Sequence, residues 1–345
     1  MAQMPPIDPR PSTRPEYWKE LKTFSVKKDL SLRQAVLNAG LTEKTWERCI
    51  KPDYVPCWES LIVIEAALCD LMTAKETSDA FLREPLLGVY ENLSPRAYNR
   101  SPYTFSPGGI LLADYCLQKA YSHYVDPERK QQTRSSPMRK GLATGYLVCS
   151  PSSFPSMFVK GSRQNDEDPE DGPIILCQDE WRDCQGMAKS INAHKGAAFL
   201  LSNAVQRNSC HFFKHPGTGI TLKTRFDFVT SDGFIVDIRT STKKIDKNTF
   251  TAIAAEFSYH VKVAMGFHAY RALTGTDASG YIHVVCEQQR PHIVATHGFE
   301  DPWLEKGNEI VDRAAAKIAK AIETGEWPGM DEGISSLPMP RRRSS

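Results

Sequence analysis

Two aspartates, Asp227 and Asp237, lie ten positions apart in the run Thr218-Gly-Ile-Thr-Leu-Lys-Thr-Arg-Phe-Asp-Phe-Val-Thr-Ser-Asp-Gly-Phe-Ile-Val-Asp-Ile-Arg-Thr240. Ser231-Asp232-Gly233 is a turn signal between two apolar stretches, Ile220 to Val229 and Phe234 to Thr240, so a β-hairpin is expected. Side chains alternate along a strand, which puts Asp237 and Arg239 on one face and lets Asp227 of the partner strand converge on Asp237. Paired carboxylates suit a hard cation such as Mg²⁺ or Mn²⁺. Such an ion polarises a phosphodiester and supplies hydroxide from bound water, while a neighbouring cation steadies charge gathering on phosphate. On spacing alone, a plain hairpin with two surface aspartates is the simpler reading.

The hairpin needs a frame. Ile110 to Tyr124, Glu180 to Ser202, Asn248 to Leu273 and Asn308 to Thr324 have helical character, the last stopped by Gly325. Tyr281 to Glu287 and Ile293 to Thr296 read as further strands. Residues 1–15 are proline-rich and are expected to form a flexible arm. A helical pattern follows over 16–75, a connector over 76–100, a larger unit over 101–330 and a disordered tail over 331–345. The acidic run Gly161 to Gly172 reads as a solvated insertion.

Within the helical unit, Leu32-Arg-Gln-Ala-Val-Leu-Asn-Ala-Gly-Leu-Thr-Glu-Lys-Thr-Trp-Glu-Arg-Cys49 combines a small-residue face, a turn at Gly40 and an N-capping Thr42. Together with Pro56-Cys-Trp-Glu-Ser-Leu-Ile-Val-Ile-Glu-Ala-Ala-Leu-Cys69 it resembles the helix-turn-helix of Cro/Xre-like domains. The resemblance implies that Thr42, Lys44, Thr45 and Arg48 face DNA. Glu43 and Glu47 oppose phosphate, and a docking module that never touches DNA is the alternative reading.

The larger unit resembles the PD-(D/E)xK nuclease superfamily, in its exonuclease VIII (RecE-like) branch. The carriers are Thr218-Gly219, Lys223, Arg225-Phe226-Asp227, Asp237-Ile-Arg239-Thr240 and Tyr259-His260-Val261-Lys262. Lys140-Gly-Leu-Ala-Thr-Gly145 upstream and Glu323-Thr-Gly-Glu-Trp-Pro328 near the end add to them. The resemblance implies an α+β or α/β fold with a central mixed sheet flanked by helices, beside the small all-α N-terminal unit. It also implies duplex DNA as partner, a homo-oligomer, and catalytic positions at Asp227, Asp237, Arg239 and Lys262, with Asp227 and Asp237 as metal ligands. The departures fall on the chemistry. The family's metal-binding His is Gly145 here, its Glu falls near Ser209, its Lys is Arg239 and its Gln is Lys262. Arg stays charged and cannot act as a general base. Arg239 and Lys262 are expected to neutralise the aspartates as ion pairs. His211, His215 or His260 would have to replace the lost ligands, and Lys223, Lys243 or Lys244 the lost lysine.

The chain has 345 residues, 43 Lys and Arg against 41 Asp and Glu, and a net charge of +2, so there is no global basic field. DNA contact must come from local patches. Lys223, Arg225, Lys243 and Lys244 are the candidates near the hairpin, with Arg129, Lys130, Arg134, Arg139, Lys140, Lys247 and Arg341 to Arg343 elsewhere. No apolar run is long enough to span a membrane, and the N-terminus lacks a signal-peptide core. Nine scattered cysteines without a C-x-x-C pair indicate reduced thiols, no zinc site and a cytoplasmic setting, and the resemblance implies a bacterial or phage-infected cell. Three functions follow in order: a nuclease-fold protein with a degenerate site that binds DNA or a protein partner, an active Mg²⁺-dependent (or Mn²⁺-dependent) double-strand exonuclease, and a helix-turn-helix regulator.

Overall fold

The structure is a computed structural model describing residues 13–28, 30–83, 85–91, 93, 95–129, 134–162 and 173–330, without side chains over 73–83. The expected tail, most of the proline-rich arm and most of the acidic insertion lie outside these residues.

The chain opens with α1 (Arg14–Lys27), α2 (Leu32–Asn38), α3 (Glu43–Cys49) and α4 (Trp58–Arg83). Ser31 caps α2 by accepting the Gln34 N–H at 3.2 Å, and Thr42 caps α3 by accepting that of Thr45 at 3.3 Å. Gly40, at φ +76°, makes the turn between them. Tyr17, Trp18, Leu21, Val36, Leu61 and Ile64 form a core of their own. α4 runs on to Arg83, beyond the expected limit of the helical unit.

Next come β1 (Gly88–Tyr90), α5 (Pro95–Arg100), β2 (Thr104–Phe105), α6 (Pro107–Tyr115), α7 (Leu117–Tyr124), α8 (Ser136–Cys149) and α9 (Phe154–Met157). They are followed by β3 (Phe158–Lys160), β4 (Ile174–Leu176), α10 (Gln178–Ala193), α11 (Lys195–Ser202), β5 (Ala204–Lys214), β6 (Thr221–Thr230) and β7 (Phe234–Ser241). The chain ends with α12 (Lys247–Glu256), α13 (Tyr259–Thr274), β8 (Gly280–Glu287), β9 (Val294–Gly298) and α14 (Asp301–Thr324).

One mixed sheet runs β1-β5-β6-β7-β8-β9, with β2 parallel beside the start of β6. The β7–β8 pair is parallel and the other neighbours along that path are antiparallel. Helices cover both sides. One core joins Ile110 of α6, Ala264 of α13 and Val311 of α14 to Ile235 and Tyr281, and another joins Ala143 of α8 and Met187 of α10 to Val236 and Val284. The expected central mixed sheet flanked by helices is therefore present. α13 and α14 touch closely at Gly307, where a Cβ would come 2.1 Å from the His260 carbonyl oxygen.

Three expected helices are each divided in two. Cys116 adopts an extended φ of −161° between α6 and α7, His194 an extended ψ of 120° between α10 and α11, and Ser258 a left-handed φ of 53° before α13. Periodic apolar patterns persist across such single-residue breaks, so hydrophobicity alone does not reveal them.

Candidate functional site

The expected hairpin forms, with Gly233 at φ +84° in its turn. Its ladder is short, however. Phe228 pairs with Val236 and Val229 with Ile235, while the other end of β6 pairs with β2 instead. One step past Phe228 and Val236 stand Asp227 and Asp237, where the strands part. Asp227 Oδ2 accepts the Ile238 N–H at 2.6 Å, so a side chain spans the gap left by the ladder.

The two carboxylates have different surroundings. Asp227 lines a cleft of about 520 Å³ between α8, the strand ends and the α12–α13 corner. Asp237 is fully buried. Its Oδ2 accepts from Arg239 Nη2 at 2.9 Å and from the Tyr281 hydroxyl at 2.6 Å, and it pairs with Lys262 Nζ. His283, the register partner of Asp237 on β8, puts Nε2 3.7 Å from the same oxygen. Asp237 Oδ1 and both His283 ring nitrogens are buried without hydrogen-bond partners.

These surroundings split the titration of the pair. Burial pushes the Asp237 carboxyl up, but Lys262 and Arg239 outweigh it and hold the group well below the usual carboxylate range. Burial, then repulsion from Asp237, raises Asp227. Lys262 does not mirror its partner. Burial and the like charge of Arg239 lower it, against the pull of the two aspartates. Arg239 opposes Lys262 and assists Asp237, which accounts for the asymmetry. Burial holds His283 far below an ordinary imidazole, so it is neutral.

The positions left vacant by the sequence departures can be placed. A Cβ on Gly145 of α8 would sit 3.9 Å from Asp227 Oδ1, so this position faces the aspartate with no side chain. Ser209 of β5 is fully buried, away from the cleft, and bonds His211 Nε2 at 2.8 Å. Asn208 reaches the cleft instead, with φ +49°, and accepts from Arg225 Nε at 2.9 Å. His211, lowered by burial to about 3, is locked into that pair. His215 is tied to Asp312 at 2.9 Å, and His260 lies beside Trp303. Among the described residues, no three His, Cys, Asp or Glu side chains are grouped to hold a metal ion.

The basic candidates divide. Arg225 lines the cleft, its guanidinium 5.0 Å from the Tyr146 ring centroid, and Lys243 lines it while pairing with Glu256 at 2.9 Å. Lys244 is exposed. Lys223 does not face solvent. It is 1% exposed and bonds the Tyr98 carbonyl and Ser101 Oγ, and burial lowers its amine to about 7. Proximity to the hairpin in sequence did not show this, because α5 and the residue that follows it cover that end of β6. Arg139 is buried against Glu180 at 3.3 Å, Lys140 pairs with Asp183 at 3.3 Å, and Arg129 donates to the carbonyls of Asp126 and Arg100. Lys130 and Arg341 to Arg343 lie outside the described residues. On α3, Thr42, Lys44 and Arg48 are exposed, Thr45 is half-buried, and Arg33 holds Glu43 at 3.0 Å.

Among the described residues no helix is long and apolar enough to cross a membrane. All nine cysteines are unpaired. Tyr281 and His283 were missed by sequence reasoning, although polar tips at alternate positions of an otherwise apolar strand were a usable signal.

No curated protein sequence matches this chain. Among solved structures, a candidate exonuclease from Eubacterium rectale gives a TM-score of 0.48 at 13% identity, covering 69% of this chain and 91% of that one. Residues 124–338 match the family model described as a PDDEXK-like domain of unknown function (DUF3799), and, with most of its length inside that match, the chain belongs to this family.

Proposed function

We propose that this chain is a DNA-associated protein of the exonuclease VIII (RecE-like) branch that binds DNA in the cleft beside Asp227 and cleaves it little or not at all. The observation that carries this is the state of Asp237, whose Oδ2 is taken by Lys262, Arg239 and the Tyr281 hydroxyl. A hard divalent cation needs several oxygen donors with uncompensated negative charge. Here two fixed cations stand against one carboxylate, and Gly145 and Asn208 bring no charge to the other. The residues present do not fit Mg²⁺ or Mn²⁺.

What they do fit is an anion. Arg225, Arg239, Lys243 and Lys262 line the cleft, and against Asp227, Asp237 and Glu256 they leave a small excess of positive charge suited to phosphodiesters. The same reading assigns residues 16–75 to a Cro/Xre-like unit contacting DNA through Thr42, Lys44, Thr45 and Arg48, with Glu43 neutralised by Arg33. It takes 76–100 as the connector and 101–330 as the nuclease-fold unit, and it includes a homo-oligomer in a bacterial or phage-infected cytoplasm, where a protein partner is the alternative to DNA.

The test mixes stoichiometric full-length protein with linear duplex DNA in Mg²⁺ or Mn²⁺ and follows it by gel. The expected result is a shifted, intact duplex whose binding weakens steeply with added salt. Metal-dependent degradation that vanishes in Asp237→Ala refutes the proposal, and so does the lack of any shift at low salt.

A further inference from the structure

We propose that the cleft receives an unpaired nucleobase against the ring of Phe257, so that its ligand is a single strand or the frayed end of a duplex. This rests on the reading that the cleft binds DNA. Phe257, at the end of α12, is 57% exposed although it lines the same cleft as Arg225 and Lys262. Its ring is held in place: it stacks on Tyr259 with centroids 6.1 Å apart and planes 23° apart. Ser258, in the left-handed region, turns the chain so that its two neighbours can stack. The Arg239 guanidinium lies 5.5 Å from the Tyr259 ring centroid. A cation is thus coupled to an aromatic pair with one open member. On the α8 wall, Met138 also lines the cleft and is 58% exposed.

Two large apolar side chains left in water at the mouth of a cation-lined cleft call for a ligand with both a flat apolar face and negative charge. Exposed aromatics beside a basic groove bind single-stranded nucleic acid by stacking bases while the cations follow the backbone. The interior of a duplex offers no base face, whereas an end or a single strand does. A peptide would satisfy the ring and leave the cations to water unless it were strongly acidic.

The test measures affinity of the full chain at low salt for a short oligothymidine, for the same strand with abasic sites, and for one carrying 2-aminopurine. Phe257→Ala is expected to weaken oligothymidine binding about tenfold, to leave abasic binding unchanged, and to abolish quenching of 2-aminopurine. Phe257→Trp, which keeps a stacking surface, is expected to restore both. Phe257 is more than half exposed, so both variants should fold, and their melting curves check this. If DNA binds but Phe257→Ala is neutral, or abasic and normal strands bind alike, this inference falls and the DNA-binding reading stands. If no oligonucleotide binds while a linear duplex still does, this inference falls alone; if neither binds at low salt, both fall.

Discussion

Lys262→Met removes one of the two cations that hold Asp237. The pair is nearly enclosed, with side-chain exposures of 19% for Lys262 and 1% for Asp237. Removing one partner from a buried ion pair costs about 3–5 kcal/mol. Because Arg239 and the Tyr281 hydroxyl remain on Oδ2, the loss belongs at the low end, about 3 kcal/mol. For a domain of this size that is a fall in melting temperature of about 6–12 °C. The sign with pH follows from linkage. Asp237 titrates below its unfolded value, so its stabilisation is complete above about pH 4 and is lost as pH falls through the depressed folded value. Without Lys262 the folded value rises, and the gap between wild type and variant narrows below about pH 4. Thermal melts of Lys262→Met, Asp237→Asn and the double variant close a cycle. Asp237→Asn alone leaves Lys262 and Arg239 as neighbouring like charges, so the double variant should lose less than the sum. Single losses under about 1 kcal/mol that simply add would refute the ion-paired description.

Asp227→Asn keeps an acceptor for the Ile238 N–H and removes a carboxylate whose ionised form is disfavoured by burial and by Asp237. It should stabilise by on the order of 1 kcal/mol at neutral pH, with the gain vanishing as pH falls through the raised folded value; melts across pH check it. Lys223 titrates near 7 when folded, below its ordinary value of about 10.4, so wild-type stability should rise relative to Lys223→Met between those limits, and parallel slopes would contradict its burial. Gly307→Ala would drive a methyl into the His260 carbonyl where α13 meets α14 and should cost at least about 2 kcal/mol in a denaturant melt.

The parts of the fold that were legible in sequence are those where local chemistry decides. The hairpin turn ends in Gly233 and α14 stops at Gly325, at φ +84° and +73°, conformations that glycine reaches without strain. β5 went unread because Ala204 to Lys214 carries Gln206, Arg207, Asn208 and Ser209 before its apolar half, and only β6 gives that polar half a partner strand, β1 pairing with Cys210 to Phe212 instead. At the site, the sequence pointed to Asp227, Asp237 and Arg239 through one hairpin, and to Lys262 only through the resemblance carried by Tyr259-His260-Val261-Lys262. It did not reveal which carboxylate would be open. That depends on Tyr281 and His283 of β8, which joins β7 in parallel only after a helical crossover. Lys223 shows the same limit: alternation assigns a face, and a distant segment, Tyr98 to Ser101, decides whether that face meets water.

Manganese titration of the full-length protein, read by electron paramagnetic resonance, tests the state of Asp237 most directly. With Lys262 and Arg239 on the carboxylate, free Mn²⁺ should track total Mn²⁺ with no stoichiometric binding. One tightly held Mn²⁺ per chain, lost in Asp237→Ala and retained in Lys262→Met, would contradict the account.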